Sequence, residues 1–407
     1  MKSLKNLLIL GPGPSSSHTI GPFRISHRFL ADSASLMPVR YEVTLLGSLG
    51  LTGKGHGTDR IIRQAFEGKD VKVFFDPRLK GLTHPNTMEL VAYGKDGTVF
   101  KERFLSIGGG AYQLEGGSYS PLEVYPFNTF GEMKKSLAAN HLASIYDAIL
   151  SLEGEDIYAY GEKMLLTSFA TLEKGLKTNG ILPGPLHLKA VSGEILAKAK
   201  GIYDPADNRD MLLTAFAYAI AESNARGEMI VTSPTCGAAG VVPAVLYYEY
   251  RYRNKTVPEL VKAYLSGALV CNFIKGNASI SGALLGCQAE IGSASSFASA
   301  SLCVLNSLSL HQIEYGAEVA MEHFLGLTCD PVDGYVQIPC IERNGMAAIH
   351  SYASYLFSKN IASFRRNRVS FDDVVEAMKQ TGSEIPSDLK ETGLGGLAKV
   401  LGKEELK

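Results

Sequence analysis

The sequence predicts an α+β fold, a small N-terminal α/β domain followed by a larger all-α helical domain. Three observations carry the prediction. Short β-branched or aromatic runs, Tyr41-Glu42-Val43-Thr44-Leu45-Leu46 and Val71-Lys72-Val73-Phe74-Phe75, belong to the first third of the chain. From about residue 127 onward, apolar residues recur at helical spacing almost without pause. Between these regions Gly116-Gly117-Ser118-Tyr119-Ser120-Pro121 breaks all periodicity. The expected organisation is an α/β domain over 1–118, a linker over 119–130 and the helical domain over 131–407.

In the first domain the apolar pattern predicts helices over 20–36 and 57–67. Two strand-like runs, 88–93 and 98–106, flank Gly94-Lys95-Asp96-Gly97 and predict a hairpin. The helical domain is expected to contain 129–152, 155–179, 207–226, 240–253, 257–275, 279–308, 311–324, 341–360 and 370–381. Small side chains in Ser293-Ala294-Ser295-Ser296-Phe297-Ala298-Ser299-Ala300 permit close backbone approach, so this segment is expected at the centre of the bundle. There is no internal repeat and no low-complexity tract.

Composition excludes several functions. Forty basic against forty-one acidic residues leave a net charge of −1 in 407 residues, which favours neither nucleic acid nor an anionic membrane as partner. The apolar run Leu7-Leu8-Ile9-Leu10 is too short for a secretion signal, and no uninterrupted apolar stretch of about 20 residues suggests a membrane span. The expected location is the cytoplasm. There, six cysteines argue for metal binding or catalysis rather than disulfides.

Three of the six stand out: Cys287 in Gly286-Cys287-Gln288-Ala289-Glu290, Cys329 in Thr328-Cys329-Asp330-Pro331 and Cys340 in Pro339-Cys340-Ile341-Glu342. Thiolates suit iron–sulfur clusters, which usually take four of them. Three thiolates and one open iron would make a Lewis acid. The spacing is neither that of a zinc ribbon nor of a ferredoxin, and by spacing alone ordinary buried cysteines remain the alternative. The loop-like surroundings of Cys329 and Cys340 favour convergence, whereas Cys271 and Cys303 sit in apolar helical runs and read as core.

Other segments carry polar groups on Gly/Pro loops. Gly11-Pro12-Gly13-Pro14-Ser15-Ser16-Ser17-His18-Thr19 presents hydroxyls and an imidazole where an anion could dock, or is simply a serine-rich helix cap. Gly53-Lys54-Gly55-His56-Gly57-Thr58 lacks the order of a phosphate loop, but its glycine-flanked histidine suits acid–base work or a plain surface turn. Ser106-Ile107-Gly108-Gly109-Gly110 suits close backbone approach. Ser233-Pro234-Thr235-Cys236-Gly237 opens a helix with free N–H groups.

Taken in order, Pro14 to Thr19, Gly47-Ser48-Leu49, Gly53 to Thr58 and Ser106 to Gly110 resemble the β domain of the bacterial iron–sulfur L-serine dehydratases. Leu182-Pro183-Gly184-Pro185-Leu186, Asn277 to Ala283, Gly286-Cys287-Gln288, Gly326 to Val332 and Pro339 to Asn344 resemble their α domain. The resemblance implies a [4Fe–4S] cluster held by Cys287, Cys329 and Cys340, a homodimer, and deamination of L-serine to pyruvate and ammonia. It implies His56 as the base or its proton partner, with Thr58 and His18 as further catalytic residues. Ser15, Ser16, Ser17, Thr235, Asn277 and Ser279 would hold the substrate, with His18 and the three serines on its carboxylate and amine. Pyridoxal phosphate is not expected, since neither Lys54 nor Lys275 has the context of a Schiff-base lysine.

Two departures from the family pattern bear on the site. Many members end in a cysteine that folds onto the open iron, but Gly402 to Lys407 contains none, and Cys236, where asparagine is expected, is either the candidate fourth ligand or a substrate-pocket residue that alters specificity. Leu284-Leu285 replaces an expected acidic residue. Related outcomes are L-cysteine or L-threonine as substrate, a non-catalytic amino-acid or redox sensor, and an electron-transfer protein, which would need four thiolates. The resemblance also implies an allosteric role for the β domain.

Overall fold

The computed structural model describes residues 1–78, 80–117 and 123–401. The last residue of the expected α/β domain with the start of the expected linker (118–122) and the cysteine-free tail (402–407) lie outside the described residues.

Among the described residues seven strands form two sheets: β1 (Leu10–Pro12), β2 (Arg40–Gly47), β3 (Val71–Asp76), β4 (Asn86–Tyr93), β5 (Val99–Gly108), β6 (Ala111–Leu114) and β7 (Met229–Val231). Alternating burial along β2 and β4 gives the larger sheet one apolar face. Its order is β3-β2-β4-β5-β6, with β2 and β3 parallel and the other pairs antiparallel. The expected hairpin is β4 and β5, in register at Leu90↔Glu102. Helices Gly21–Asp32 and Thr58–Ala65 cover the apolar face, burying Ile25, Phe29 and Ile62 against Val43, Leu45, Leu90 and Phe104.

The helical domain is built round Val257–Asn277 and Ile291–Leu305. A Cβ on Gly267 would lie 2.6 Å from the Phe297 carbonyl oxygen, so these helices pack backbone against backbone. Two buried serines of the second helix are satisfied by bonding carbonyls of a neighbouring helix, Ser296 to Ala317 (2.7 Å) and Ser299 to Gly316 (2.9 Å). Cys271 and Cys303 are both buried here. By length and composition Val257–Asn277 is apolar enough to cross a membrane, and 78% of its apolar window is buried inside the protein.

Two predicted helices are divided. The segment 129–152 becomes Phe130–Ala139 and Ile145–Glu153, separated where His141 takes a positive φ of 53°. The segment 279–308 breaks at Gly286, whose φ is 77° and whose absent Cβ would meet the Leu327 carbonyl oxygen at 2.7 Å. That break leaves Cys287 in a short 3-10 turn, Cys287–Ala289, ahead of the long helix.

The N-terminal segment does not start in the large sheet. β1 pairs antiparallel with β7, and Leu4, Leu7 and Leu8 are buried in the helical core. The loop after β1 therefore runs along the seam between the helices and the sheet.

Candidate functional site

Five segments meet at that seam. The first is the turn Ser16–Ile20, capped by the Ser15 hydroxyl, which accepts the His18 N–H at 3.3 Å. Asn224, at the end of helix Pro205–Ala225, anchors it by donating to the Pro14 carbonyl at 2.7 Å, and Ser106 of β5 donates to the Ser17 carbonyl at 2.7 Å. The second is the loop after helix Ser48–Thr52, which carries His56. Gly55 has no side chain because a Cβ there would stand 2.7 Å from the backbone of Gly334. The other three segments bring Cys287 and Glu290, then Cys329 and Cys340, and finally Glu391.

Cys287, Cys329, Cys340, Glu290, Glu391, His56 and Ser15 line one enclosed cavity of about 20 Å³. The ligand atoms of Cys287, Glu290 and Cys329 lie within 4.8 Å of one another, and all three cysteines are free thiols. The facing Cys329 thiol, and behind it the Arg343 guanidinium, lower the Cys287 pKa to about 6 despite its burial. Burial pushes Cys340 up, and in Cys329 the bond to Cys287 and then burial do the same. Arg343 is held by the Thr328 carbonyl at 2.8 Å and by Asp330 at 3.5 Å. Although burial disfavours its charge, the three sulfurs keep it cationic.

The two histidines stack, with ring centroids 4.2 Å apart. Their tautomers follow from their partners. The Thr52 hydroxyl spends its proton on the Ser48 carbonyl (2.9 Å), so at 2.9 Å it accepts from His18 Nε2–H. His18 Nδ1 then accepts from the Ser17 hydroxyl at 2.9 Å. His56 Nδ1–H donates to the Thr52 carbonyl at 2.9 Å, which leaves the Nε2 lone pair free. Burial lowers the His56 pKa to about 4 and drives His18 well below the usual imidazole range, with the neighbouring His56 adding to the effect on His18. Both rings are therefore neutral near pH 7.

Glu391 faces both unprotonated nitrogens, its Oε1 lying 3.5 Å from His18 Nδ1 and 3.7 Å from His56 Nε2. Burial, then the charge of Cys287, raises its pKa to about 8. Its backbone is tied by N–H to the Cys329 carbonyl (2.7 Å) and by its own carbonyl to the Ser48 hydroxyl (2.8 Å). Burial and Cys287 likewise raise Glu290, which approaches the Cys287 sulfur at 3.8 Å.

The residues singled out from sequence fall into three groups. Cys287, Cys329, Cys340, His56 and Ser15 line the cavity, and Ser17 and His18 support it from behind. Ser16, Thr58, Thr235 and Cys236 are buried around it but not on its wall: Thr58 begins the helix after His56, Thr235 stands by Glu290, and Cys236 lies next to the lining residue Gly237. Asn277 and Ser279 are elsewhere. Asn277 donates to the Asn128 carbonyl at 2.7 Å, and Ser279 lines a separate cavity of about 350 Å³ beside the N-terminal segment and the β5–β6 turn. The helix ends at Asn277, and Ile280 and Ser281 separate Ser279 from Gly282, which does reach Cys329. Sequence reasoning gave no role to Glu290, Glu391 or Arg343. Glu290 and Arg343 stand in motifs quoted above, where the signal was a charge close to a cysteine, whereas Glu391 stands in none of them.

The family described as "Serine dehydratase alpha chain" matches residues 132–398, and "Serine dehydratase beta chain" matches residues 3–74. The chain belongs to the serine dehydratase family. Relatives include L-serine dehydratase of Streptomyces coelicolor, 36% identical over 97% of this chain and 98% of that protein. L-serine dehydratase 1 of Escherichia coli is 35% identical over 98% and 99%, and L-serine dehydratase of Helicobacter pylori is 34% identical over 98% and 99%. Both family segments, β and α, are thus joined in one chain, and each contributes side chains to the seam.

Proposed function

We propose that this protein is an L-serine ammonia-lyase that eliminates water from L-serine and releases pyruvate and ammonia, and that Cys287, Cys329 and Cys340 hold a [4Fe–4S] cluster. One observation carries the reading: three free thiols line the same buried cavity as a neutral imidazole whose Nε2 has no proton.

The donor set fits such a cluster. The thiols are soft ligands, Cys287 already favours the thiolate, and Arg343 offsets part of the added negative charge. Gly282 and Gly237 leave the wall bare: a Cβ on Gly282 would meet the Cys329 sulfur at 3.2 Å, and one on Gly237 the Glu290 carboxyl at 3.2 Å. When bound, the cluster would supply Lewis acidity to the substrate hydroxyl, a poor leaving group. His56 accepts the α-proton at Nε2, and its Nδ1–H bond to Thr52 keeps that nitrogen aimed inward. His18 and Ser17 hold the imidazole stack in place. Loss of the α-proton and the β-hydroxyl gives 2-aminoacrylate, whose imine tautomer hydrolyses to pyruvate and ammonia. The same proposal takes the protein as a cytoplasmic homodimer.

The test is pyruvate formation from L-serine by anaerobically purified, cluster-reconstituted protein, repeated after exposure to air. Activity lost in air is the expected result. A protein with full iron and sulfide that forms no pyruvate overturns the proposal, and sulfide from L-cysteine or 2-oxobutanoate from L-threonine would identify the other substrates.

A further inference from the structure

The Glu391 carboxyl group is buried, lies on the cavity wall, and among the described residues pairs with no lysine or arginine. Its Oε1 faces two imidazole nitrogens that both present lone pairs, and its Oε2 accepts no hydrogen bond among the described residues. The Ser15 hydroxyl and the Ala283 N–H lie on its near side and favour the ionised form. The nearby guanidinium of Arg343 is spent on Thr328, Asp330 and the sulfurs. Burial holds a carboxyl group so placed toward its neutral form until a positive group arrives to balance the charge. The backbone bonds to Cys329 and Ser48 nevertheless hold it there.

We infer that Glu391 is the receptor for the α-ammonium group of the substrate, and so the residue that selects an amino acid over a hydroxy acid. This rests on the function proposed above and assigns the amine to Glu391 rather than to the serines. The geometry is consistent with catalysis: ammonium nitrogen and α-carbon are bonded neighbours in the substrate, and Glu391 and His56 Nε2 are neighbours 3.7 Å apart in the site. The ammonium reaches the carboxylate while the α-hydrogen faces the imidazole.

The experiment compares binding of L-serine and of 3-hydroxypropanoate, which is L-serine without its amine, to the reconstituted holoenzyme by competition and calorimetry. The wild-type protein should bind L-serine at least tenfold more tightly, the scale of a charge-assisted hydrogen bond. Glu391→Gln should lose roughly that factor for L-serine and leave 3-hydroxypropanoate unchanged, while Glu391→Asp retains part of it. Equal loss for both ligands, or no loss for L-serine, overturns the assignment. If the variants do not fold, the wild-type ratio decides, because equal affinities would leave the amine without a receptor. These are binding measurements, so a protein that binds L-serine selectively but forms no pyruvate would fail the proposed function and keep this inference.

Discussion

Replacing Gly55 by alanine adds one methyl group where the His56 loop passes closest to the opposing chain. The new Cβ would stand 2.7 Å from both the carbonyl carbon and oxygen of Gly334, atoms that cannot rotate away. Restoring ordinary contact needs a retreat of about 0.7 Å, and overpacking of this kind typically costs ~1–3 kcal/mol. The displacement falls on the residue before His56, whose Nε2 stands 3.7 Å from Glu391. A misplacement of about 1 Å at a catalytic group can cost ~10²-fold, so kcat for L-serine should fall by roughly ten- to a hundredfold. Steady-state pyruvate kinetics and urea unfolding on the same reconstituted preparation measure both effects. Gly276→Ala is the control. It lies inside the helix Val257–Asn277 and its Cβ would meet only the Met1 sulfur at 3.5 Å, so it should be neutral or stabilising by about 0.5–1 kcal/mol. Wild-type kcat in Gly55→Ala would refute the claim that this contact sets the position of His56.

His56→Asn removes the free Nε2 and should lower kcat by about 10²–10⁴-fold while iron content stays unchanged; retained turnover would assign the base elsewhere. Cys236→Ser should leave the EPR and Mössbauer signature of the reconstituted protein as in wild type, since Cys236 is off the cavity wall, whereas Cys287→Ser, Cys329→Ser and Cys340→Ser should each reduce bound iron. His84, at the start of β4, gives a pH dependence of stability. Burial lowers its pKa to about 4 while the unfolded chain binds a proton at 6.5, so its contribution is complete above pH 6.5 and is lost as pH falls toward 4. Between pH 7 and pH 5 this amounts to roughly 2 kcal/mol, seen as a fall in the urea midpoint that His84→Gln should reduce; an equal fall in the variant would contradict it.

Much of this was legible in the sequence because it rests on local pattern. β4 and β5 alternate round a glycine-bounded turn, and the helix Ile291–Leu305 announces itself through residues too small for anything but close packing. The three cysteines and His56 could be singled out because glycine and proline surround them. What pattern could not show is which distant segments meet. Asn277 and Ser279 share a motif with Gly282, yet a helix terminus intervenes, and only the far end of the motif reaches the thiols. The division of 279–308 turns on Gly286 fitting against the Leu327 carbonyl, a contact between segments. Glu391 was invisible as a site residue for the same reason: nothing near it in sequence indicates that its side chain ends between two histidines from the other end of the chain.

That position in the chain has a consequence for how the protein comes into being. Glu391 follows the last long helix, Phe371–Glu384, and is docked by a backbone bridge to Cys329 and by the bond from Leu397 N–H to Asp330 at 2.7 Å. The sheet and the helical core draw their buried residues almost wholly from earlier segments. A chain halted by the ribosome, or nicked by a protease, just after Glu384 would keep both cores and still lack one wall of the cavity. Full assembly of the cavity thereby requires that synthesis has run past Glu391.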